Sequence, residues 1–225
     1  MKKTRMIVAA LMAMTMLLLC ACGNSNKPAN NKPAGDPAPA PQEQTNKPAE
    51  PAPETPAEPS APAEFDGKLH GPFVMTTCGQ STGSVMFHMV AVQAGQTSVD
   101  EHQLMADELA TVGADAKTLV ITTGTSGKGM GAAGTDVNDE IERCVAVAQA
   151  AKDAGMTIVC AHVEGMSRRT DANDQASIDA ILPLADVIVC VEDSDSDKLF
   201  SNYAAEKNLP IIIVPDTLGL ADYFA

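Results

Sequence analysis

The sequence predicts a single α/β domain, a three-layer, doubly wound and mostly parallel sheet of the Rossmann-like or flavodoxin-like kind. Three observations predict it. Short runs such as "KTLVITT" and "DVIVCV" are apolar throughout, as are strands that are buried on both faces. Segments with helical spacing alternate with these runs, which indicates parallel strands joined by crossover helices. The stretch 65–225 is long enough to bury one such core.

The predicted elements follow one another in a regular order. Strands are predicted in "GPFVMTTC", "KTLVITT", "MTIVCAHV", "DVIVCV" and "LPIIIV", with a weaker edge strand in "TSVDEHQLM". Helices are predicted in "SVMFHMVAVQAG", "DVNDEIERCVAVAQAAKDAG", "DANDQASIDAILPLA" and "SDKLFSNYAAEKN", with a short helical segment in "ADELATVG". If the strand order is flavodoxin-like, 2-1-3-4-5, the topological switch point lies between the first and third strands, and ligands bind there.

Residues 1–22 are predicted to be a lipoprotein signal peptide. Basic residues precede the apolar run "MIVAALMAMTMLLL" and then "LCACGN", which is typical of a secretory signal. The stretch from Leu19 to Cys22 resembles the lipobox of bacterial lipoproteins, with Cys22 as the lipidated residue. The apolar run is short for a spanning helix, which needs about 20 residues. We therefore expect an extracytoplasmic protein that a lipid anchors to the cell membrane.

Residues 23–64 are predicted to be a disordered tether. Eleven of the fifteen prolines of the chain lie in this segment, which has almost no apolar bulk. Such a composition cannot bury enough surface to offset the entropy of ordering. Repeated Pro and Ala favour extended polyproline II, so the tether would reach on the order of 100 Å from the membrane.

The domain at 65–225 is strongly acidic, and its composition excludes several classes of function. It has nine Lys or Arg against twenty-three Asp or Glu, and the chain has a formal net charge of −14. That charge repels nucleic acid and anionic lipid, so we expect no nucleic-acid partner. Its four cysteines form no CxxC pair and its histidines have no metal-ligand spacing, so we expect no metal and no cofactor. The cysteines are Cys78, Cys144, Cys160 and Cys190.

The segment "GTSGKGMGAAG" at 124–134 follows a strand but does not fit a nucleotide-binding loop. A P-loop needs a hydroxyl after Gly-Lys, and Gly129 stands there instead. The pattern GxGxxG does occur at 129–134, but it begins six residues after Thr123, the predicted end of the strand. The next helix opens with four carboxylates that would repel a pyrophosphate.

The helix after "CGQST" offers a better position for an anion. The stretch from Ser81 to Gly95 has no acidic residue, and the open N–H groups at a helix start attract carboxylates and phosphates. The leading hypothesis is therefore a binding module for a small anionic ligand, a carboxylate or phosphate compound. The predicted binding residues supply backbone donors, hydroxyls and counter-charge; they are Gly79, Gln80, Ser81, Thr82, Gly124, Ser126, Lys128, Gly129, Arg168 and Arg169.

Two alternatives compete with the binding module. "GQSTG" matches the G-x-S-x-G elbow of hydrolases, so Ser81 or Cys78 could be a nucleophile, with His162 as base. A hydrolase of this type would have an Asp or Glu and then a His in the loops after the last strands, and the sequence has no such His. The sequence therefore favours binding over catalysis, and we assign no catalytic residue. The other alternative is a protein-interaction domain without a small ligand, and a transporter or surface partner stays open in either case.

The region from about Gly71 to Phe224 resembles an uncharacterised prokaryotic family, domain of unknown function 6305. The resemblance rests on "GPFVMTTCGQS", "KTLVITTGTSGKGMGAAG" and "AHVEGMSRR". In that family the Gly/Ser segment ends in Lys-Gly-x-Gly-Ala-Ala-Gly, and Lys128 to Gly134 match that ending throughout. The resemblance implies the α/β fold and an important role for this segment. It implies no substrate and no catalytic residue.

Overall fold

The computed structural model describes residues 65–225, so the predicted signal peptide, Cys22 and the tether lie outside the described residues. Six strands form one entirely parallel sheet in the order β2-β1-β3-β4-β5-β6. The first five strands thus have the flavodoxin-like order, which confirms the predicted fold class and places the switch point between β1 and β3. The strands are β1 (Phe73–Cys78), β2 (Ser98–Asp100), β3 (Thr118–Thr123), β4 (Thr157–His162), β5 (Val187–Val191) and β6 (Ile211–Val214).

Helices cover both faces of this sheet. The α-helices are α1 (Gly83–Gln93), α2 (Leu109–Val112), α3 (Gly127–Ala133), α4 (Val137–Asp153), α5 (Ala172–Ile181) and α6 (Leu199–Lys207). Four 3₁₀ segments complete the chain: Gly165–Arg168, Leu182–Leu184, Glu192–Asp195 and Thr217–Tyr223. Within residues 65–225, every helix is too short or too polar to cross a membrane.

Two apolar clusters form the core, one on each face of the sheet. Alternate residues of β1 point to opposite faces, so Val74 and Cys78 lie in the cluster with α4 and α5. Phe73 and Met75 lie in the other cluster with α1, where the Phe73 ring meets Phe224 edge-on at 5.5 Å between centroids. Burial on both faces explains why the sequence of these strands is apolar throughout.

Helix α4 begins and ends where its sequence signals predict. The Asp136 side chain accepts hydrogen bonds from the backbone N–H groups of Asn138 at 2.8 Å and Asp139 at 3.1 Å. Gly155, two residues beyond the helix, has a φ of 73° that most residues avoid. Both signals are local, so the sequence alone suffices to locate this helix.

The structure differs from the sequence prediction at "GTSGKGMGAAG", because residues 127–133 form helix α3 rather than a loop. The Ser126 side chain accepts a hydrogen bond from the Gly129 N–H at 3.0 Å, and Gly134 ends the helix with a φ of 72°. A Cβ atom at Gly129 would lie 2.2 Å from the carbonyl oxygen of Gln80. Glycine thus allows close packing against the segment after β1, and this contact outweighs the low helix propensity of glycine.

Candidate functional site

Three segments meet at the carboxyl ends of β1 and β3, where the sequence places the site. They are 79–82, 124–129 and 164–168. The Ser126 N–H donates to the Gly79 carbonyl at 2.8 Å, which joins the first two segments. The third packs on the second, since a Cβ atom at Gly124 would lie 2.6 Å from Cβ of Arg168. The switch point therefore brings together the predicted binding residues of all three segments.

Arg169 is the predicted binding residue that the structure does not bring to this place. Its guanidinium makes two hydrogen bonds of 2.7 Å to the Asp197 carboxylate and one of 2.7 Å to the Ser194 carbonyl. It also lies over the Phe200 ring, 5.7 Å from the centroid. The bonds from Arg169 lower the pKa of Asp197 to about 2. Arg169 thus fastens the loop after β5.

A buried carboxylate holds the segment after β1. Glu140 is only 2% exposed and accepts hydrogen bonds from the Gly79 N–H at 3.1 Å and from Gln80 Nε2 at 3.0 and 3.1 Å. Arg143 donates to the same carboxylate at 2.7 Å and to the Thr77 carbonyl at 2.6 Å. The donors of Gly79 and Gln80, which the sequence offers to a ligand, are therefore engaged within the protein.

From the sequence, Glu140 is expected only to complement the start of a helix, and Arg143 is given no role. A signal for Glu140 is nevertheless present. Glu140, Cys144 and Val147 follow one another at i, i+4 and i+7, which places all three on the buried face of α4. A carboxylate on such a face needs partners from a neighbouring segment.

A second buried carboxylate holds the segment after β3. Asp174, on α5, accepts hydrogen bonds from the backbone N–H and the hydroxyl of both Thr125 and Thr170, at 2.7–3.2 Å. Burial alone would raise the pKa of Asp174, but these four donors outweigh it and hold the pKa below its ordinary value. The Gly124 N–H donates to the Ser177 hydroxyl at 3.2 Å. This backbone is thus also bonded internally.

The start of α1, where the sequence predicts an anion, already has a carboxylate of the protein beside it. Glu164 follows β4, and its side chain is 8% exposed. Its Oε2 atom accepts hydrogen bonds from the Thr82 hydroxyl at 2.9 Å and from Arg168 Nε at 3.1 Å. A Cβ atom at Gly83, the first residue of α1, would lie 3.3 Å from Oε1 of the same carboxylate. The start of α1 is therefore already next to a carboxylate, that of Glu164.

Three polar side chains form the accessible edge of this place, which we name the switch-point rim: Thr82, Lys128 and Arg168. Thr82 and Lys128 are exposed, and the Arg168 side chain is 29% exposed. Arg168 also donates to the Thr125 carbonyl at 2.8 Å, which fixes its position. The Lys128 ammonium has no hydrogen-bond or ion-pair partner among residues 65–225, so its charge faces solvent.

The residues of the hydrolase alternative are buried, and Ser81 and His162 have different hydrogen-bond partners. Ser81 is fully buried, and its hydroxyl contacts the Thr77 hydroxyl at 3.2 Å. The ring nitrogens of His162 contact the Thr123 hydroxyl at 3.0 Å and the Gly165 carbonyl at 3.3 Å. Burial lowers the pKa of His162 to about 4, although the contact with Gly165 opposes this change. In the described part of the chain, no histidine makes a hydrogen bond to Ser81 or Cys78.

The four cysteines of the domain are free thiols, and all of them are buried. Contact with the Cys144 thiol lowers the pKa of Cys78, but the Cys78 side chain has no exposed surface. Burial raises the pKa of Cys190 to about 12. Between residues 65 and 225, no group of three or more His, Cys, Asp or Glu side chains has the arrangement of a metal site.

The chain matches one family model, and its fold has a weak similarity to several solved structures. A family model described as "Domain of unknown function (DUF6305)" matches residues 70–225. No curated protein matches the chain. A GDSL-like lipase from Bacteroides thetaiotaomicron is 9% identical, with a TM-score of 0.34 over 65% of this chain and 68% of its own.

Two further solved structures are similar to the same degree. A putative acylhydrolase from Bacteroides fragilis is 9% identical, with a TM-score of 0.32 over 70% of this chain and 72% of its own. A psychrotrophic esterase from Pseudoalteromonas sp. is 8% identical, with a TM-score of 0.29 over 62% of this chain and 76% of its own. Likenesses at TM-scores below 0.5 carry no inference about activity.

Proposed function

The chain belongs to the DUF6305 family, and we propose that its domain binds a small anion, a carboxylate or phosphate compound, at the switch-point rim. The observation that carries this proposal is the convergence of Thr82, Arg168 and the start of α1 on one carboxylate, that of Glu164. The first turn of α1 contains no acidic residue, so nothing on the helix itself competes with an anion. These surroundings suit a carboxylate or phosphate group from outside as well.

The distribution of charge supports the same proposal. The chain has a net charge of −14, and most of its surface repels an anion. At the switch-point rim Lys128 is exposed and its ammonium has no partner among residues 65–225, and the Arg168 side chain is partly accessible. An anion is therefore attracted to this edge more than to the rest of the domain. Charge-assisted hydrogen bonds from these two cations would then hold it.

The proposal includes the cellular setting that the N-terminal sequence predicts. A lipidated Cys22 and a tether over 23–64 would hold the domain outside the cytoplasm at the membrane. A binding module placed there meets solutes from outside the cell. The binding residues all lie between Thr82 and Arg168, whereas the lipid anchor is at Cys22. Ligand binding and anchoring can therefore be tested separately.

Isothermal titration of residues 65–225 tests the proposed site. This segment contains the whole sheet and both apolar clusters. The probes are propionate, succinate, inorganic phosphate and glycerol phosphate. We expect at least one to bind, and we expect Lys128→Ala and Arg168→Ala each to weaken that binding about tenfold, since each removes a charge-assisted contact.

The matched control is Lys117→Ala, which removes an exposed lysine at the opposite, amino-terminal end of β3. It should leave the affinity within about twofold of the original, because it changes the net charge as Lys128→Ala does but lies far from the rim. Equal losses of affinity in all three variants would show that the effect comes from the overall charge of the domain and not from the rim. Unchanged affinities in Lys128→Ala and Arg168→Ala would overturn the site.

A further inference from the structure

Helix α1 is apolar on two opposite faces. Its inner face packs in the core, where Phe87 is fully buried. On the outer face Met89 is 64% exposed and Val92 is 51% exposed, and Val85, one turn before Met89, is half-buried. A helix that is apolar all round is usually buried on every side. Among residues 65–225, the outer face of α1 therefore lacks the partner that its composition calls for.

Three residues form a continuous row on this outer face. Val85, Met89 and Val92, which we name the α1 stripe, follow one another at i, i+4 and i+7, so their side chains lie one above the other along the helix. The same spacing occurs where two helices pack along one seam. Met89 is in the middle of the row, and its flexible thioether can adapt to the side chains of a facing helix.

The α1 stripe differs from the rest of the surface in charge. The sequence from Ser81 to Val99 contains no Asp, Glu, Lys or Arg. The other long helices expose carboxylates, such as Glu142 on α4, Asp179 on α5 and Glu206 on α6. Because each chain has a net charge of −14, two copies that meet through those helices repel each other. Among the long helices of residues 65–225, α1 is the one that can meet its own copy without bringing like charges together.

We propose that the domain forms a weak symmetric dimer, in which the α1 stripe packs against the α1 stripe of a second copy. A two-fold axis through the contact makes this surface complementary to itself. A single pair of crossing helices buries less than the about 1,200–2,000 Å² of stable interfaces, so we expect a dissociation constant on the order of 0.1 mM. The inference goes beyond the proposed function and does not depend on it, since Lys128 and Arg168 lie outside the stripe.

A lipid surface suits the α1 stripe less well than a second copy does. Helices that lie on membranes carry Lys or Arg beside their apolar face, and the stretch Gly83–Gln93 has neither. An acidic domain is also repelled by anionic lipid. The predicted lipid anchor at Cys22 would favour the dimer, because copies confined to one membrane have a raised effective concentration.

Sedimentation equilibrium of residues 65–225, between about 0.01 and 1 mM, tests the dimer. We expect the average mass to rise with concentration from that of a monomer towards that of a dimer. Met89→Glu places two carboxylates at the contact and should weaken the dimer at least about tenfold. Since Met89 is exposed, this variant should keep the thermal midpoint of the original protein.

The matched control is Val145→Glu. It makes the same change of charge at another exposed apolar residue, on α4, and should leave the dissociation constant within about twofold of the original. A monomer at every concentration would overturn the inference. A dimer that Met89→Glu leaves unchanged would overturn it too, as would equal weakening by the two variants.

The dependence on salt is a second readout of the same contact. Salt screens the repulsion between two acidic domains, so raising sodium chloride from about 0.05 to 0.5 M should tighten the dimer several-fold. A dimer held by ion pairs would weaken under the same change. Weakening by salt would therefore contradict an apolar contact.

Cross-linking locates the contact on the surface. The four cysteines of residues 65–225 are buried, so Met89→Cys adds an exposed thiol. A short bismaleimide should join two such chains into a covalent dimer, because residues near a two-fold axis lie close to their own copies. Val145→Cys should stay monomeric, and equal cross-linking of both variants would overturn the location. A domain that stays monomeric but binds phosphatidylcholine vesicles through Met89 would show that a membrane, and not a second copy, covers the stripe.

Discussion

Glu140 illustrates how single residues hold the switch point. Its carboxylate accepts hydrogen bonds from the Gly79 N–H, from Gln80 and from Arg143, and it is almost completely buried. Gln80 has a φ of 55°, a conformation that is uncommon for a residue other than glycine and needs support from its neighbours. The Glu140 carboxylate supplies that support, since it binds the Gln80 side chain.

Glu140→Ala should therefore lower the free energy of unfolding by about 3–5 kcal/mol, because it leaves the Arg143 charge buried without its partner. Urea unfolding of the two proteins measures the difference. Glu142→Ala, two residues further along α4 and exposed, should change it by less than about 0.5 kcal/mol. A small effect of Glu140→Ala, similar to that of Glu142→Ala, would show that the network does not hold the loop.

His162 makes stability depend on pH. Burial lowers its pKa from 6.5 to about 4 in the folded protein, whereas the unfolded chain keeps the ordinary value. As the pH falls below 6.5 the unfolded chain takes up a proton that the folded protein does not yet bind, so stability decreases. The loss is complete near pH 4 and amounts to about 3 kcal/mol.

Urea unfolding at pH 7 and at pH 4 measures this dependence. His162→Gln should remove about 3 kcal/mol from the difference between the two pH values, because the variant has no imidazole to protonate. The comparison between variants separates His162 from the carboxylates that also titrate in this range. The same pH dependence in His162→Gln as in the original protein would contradict a neutral, buried ring.

At the scale of elements, the sequence predicts those parts whose signals are local. The apolar runs of the strands and the cap residues of α4 are part of the elements that they specify or lie next to them, so these elements were predictable. Helix α3 was not, because its glycines have low helix propensity and its stability comes from contact with Gln80, about 50 residues earlier. The pattern "GTSGKGMGAAG" predicts a close approach of backbones but does not show which partner is approached.

The candidate site was predictable to the same extent. Strand ends that follow one another across a parallel sheet place Thr82, Lys128 and Arg168 at one edge. The different contacts of Arg168 and Arg169 were not predictable, since Arg168 ends a 3₁₀ segment and bonds to Thr125, whereas Arg169 follows it and bonds to Asp197. Nor does the sequence reveal that the Glu164 carboxylate lies at the start of α1.

Two glycines of α3 give a matched test of its packing. Gly129→Ala places a Cβ atom 2.2 Å from the Gln80 carbonyl oxygen, so it should destabilise the domain by at least about 1–3 kcal/mol. Gly131→Ala meets no atom within 4 Å and should stabilise it by up to about 1 kcal/mol through helix propensity. Thermal unfolding measures both, and equal effects would mean that α3 does not pack on the segment after β1.

At the scale of the whole molecule, a rigid parallel sheet positions a small polar edge on an acidic domain. Two buried carboxylates, Glu140 and Asp174, hold the loops that form this edge. The backbone donors of these loops are largely used within the protein. We therefore assign the ligand contacts to the side chains of the switch-point rim, next to the start of α1.

Amide chemical shifts of residues 65–225 during titration with propionate, succinate and phosphate test this central claim most directly, with sodium chloride as the control for ionic strength. We expect saturable shifts for at least one ligand, concentrated at 81–84, 126–129 and 164–168. Shifts that are absent, or that follow exposed lysines such as Lys117 and Lys207 at the same concentrations as sodium chloride, would contradict a binding site at the switch point.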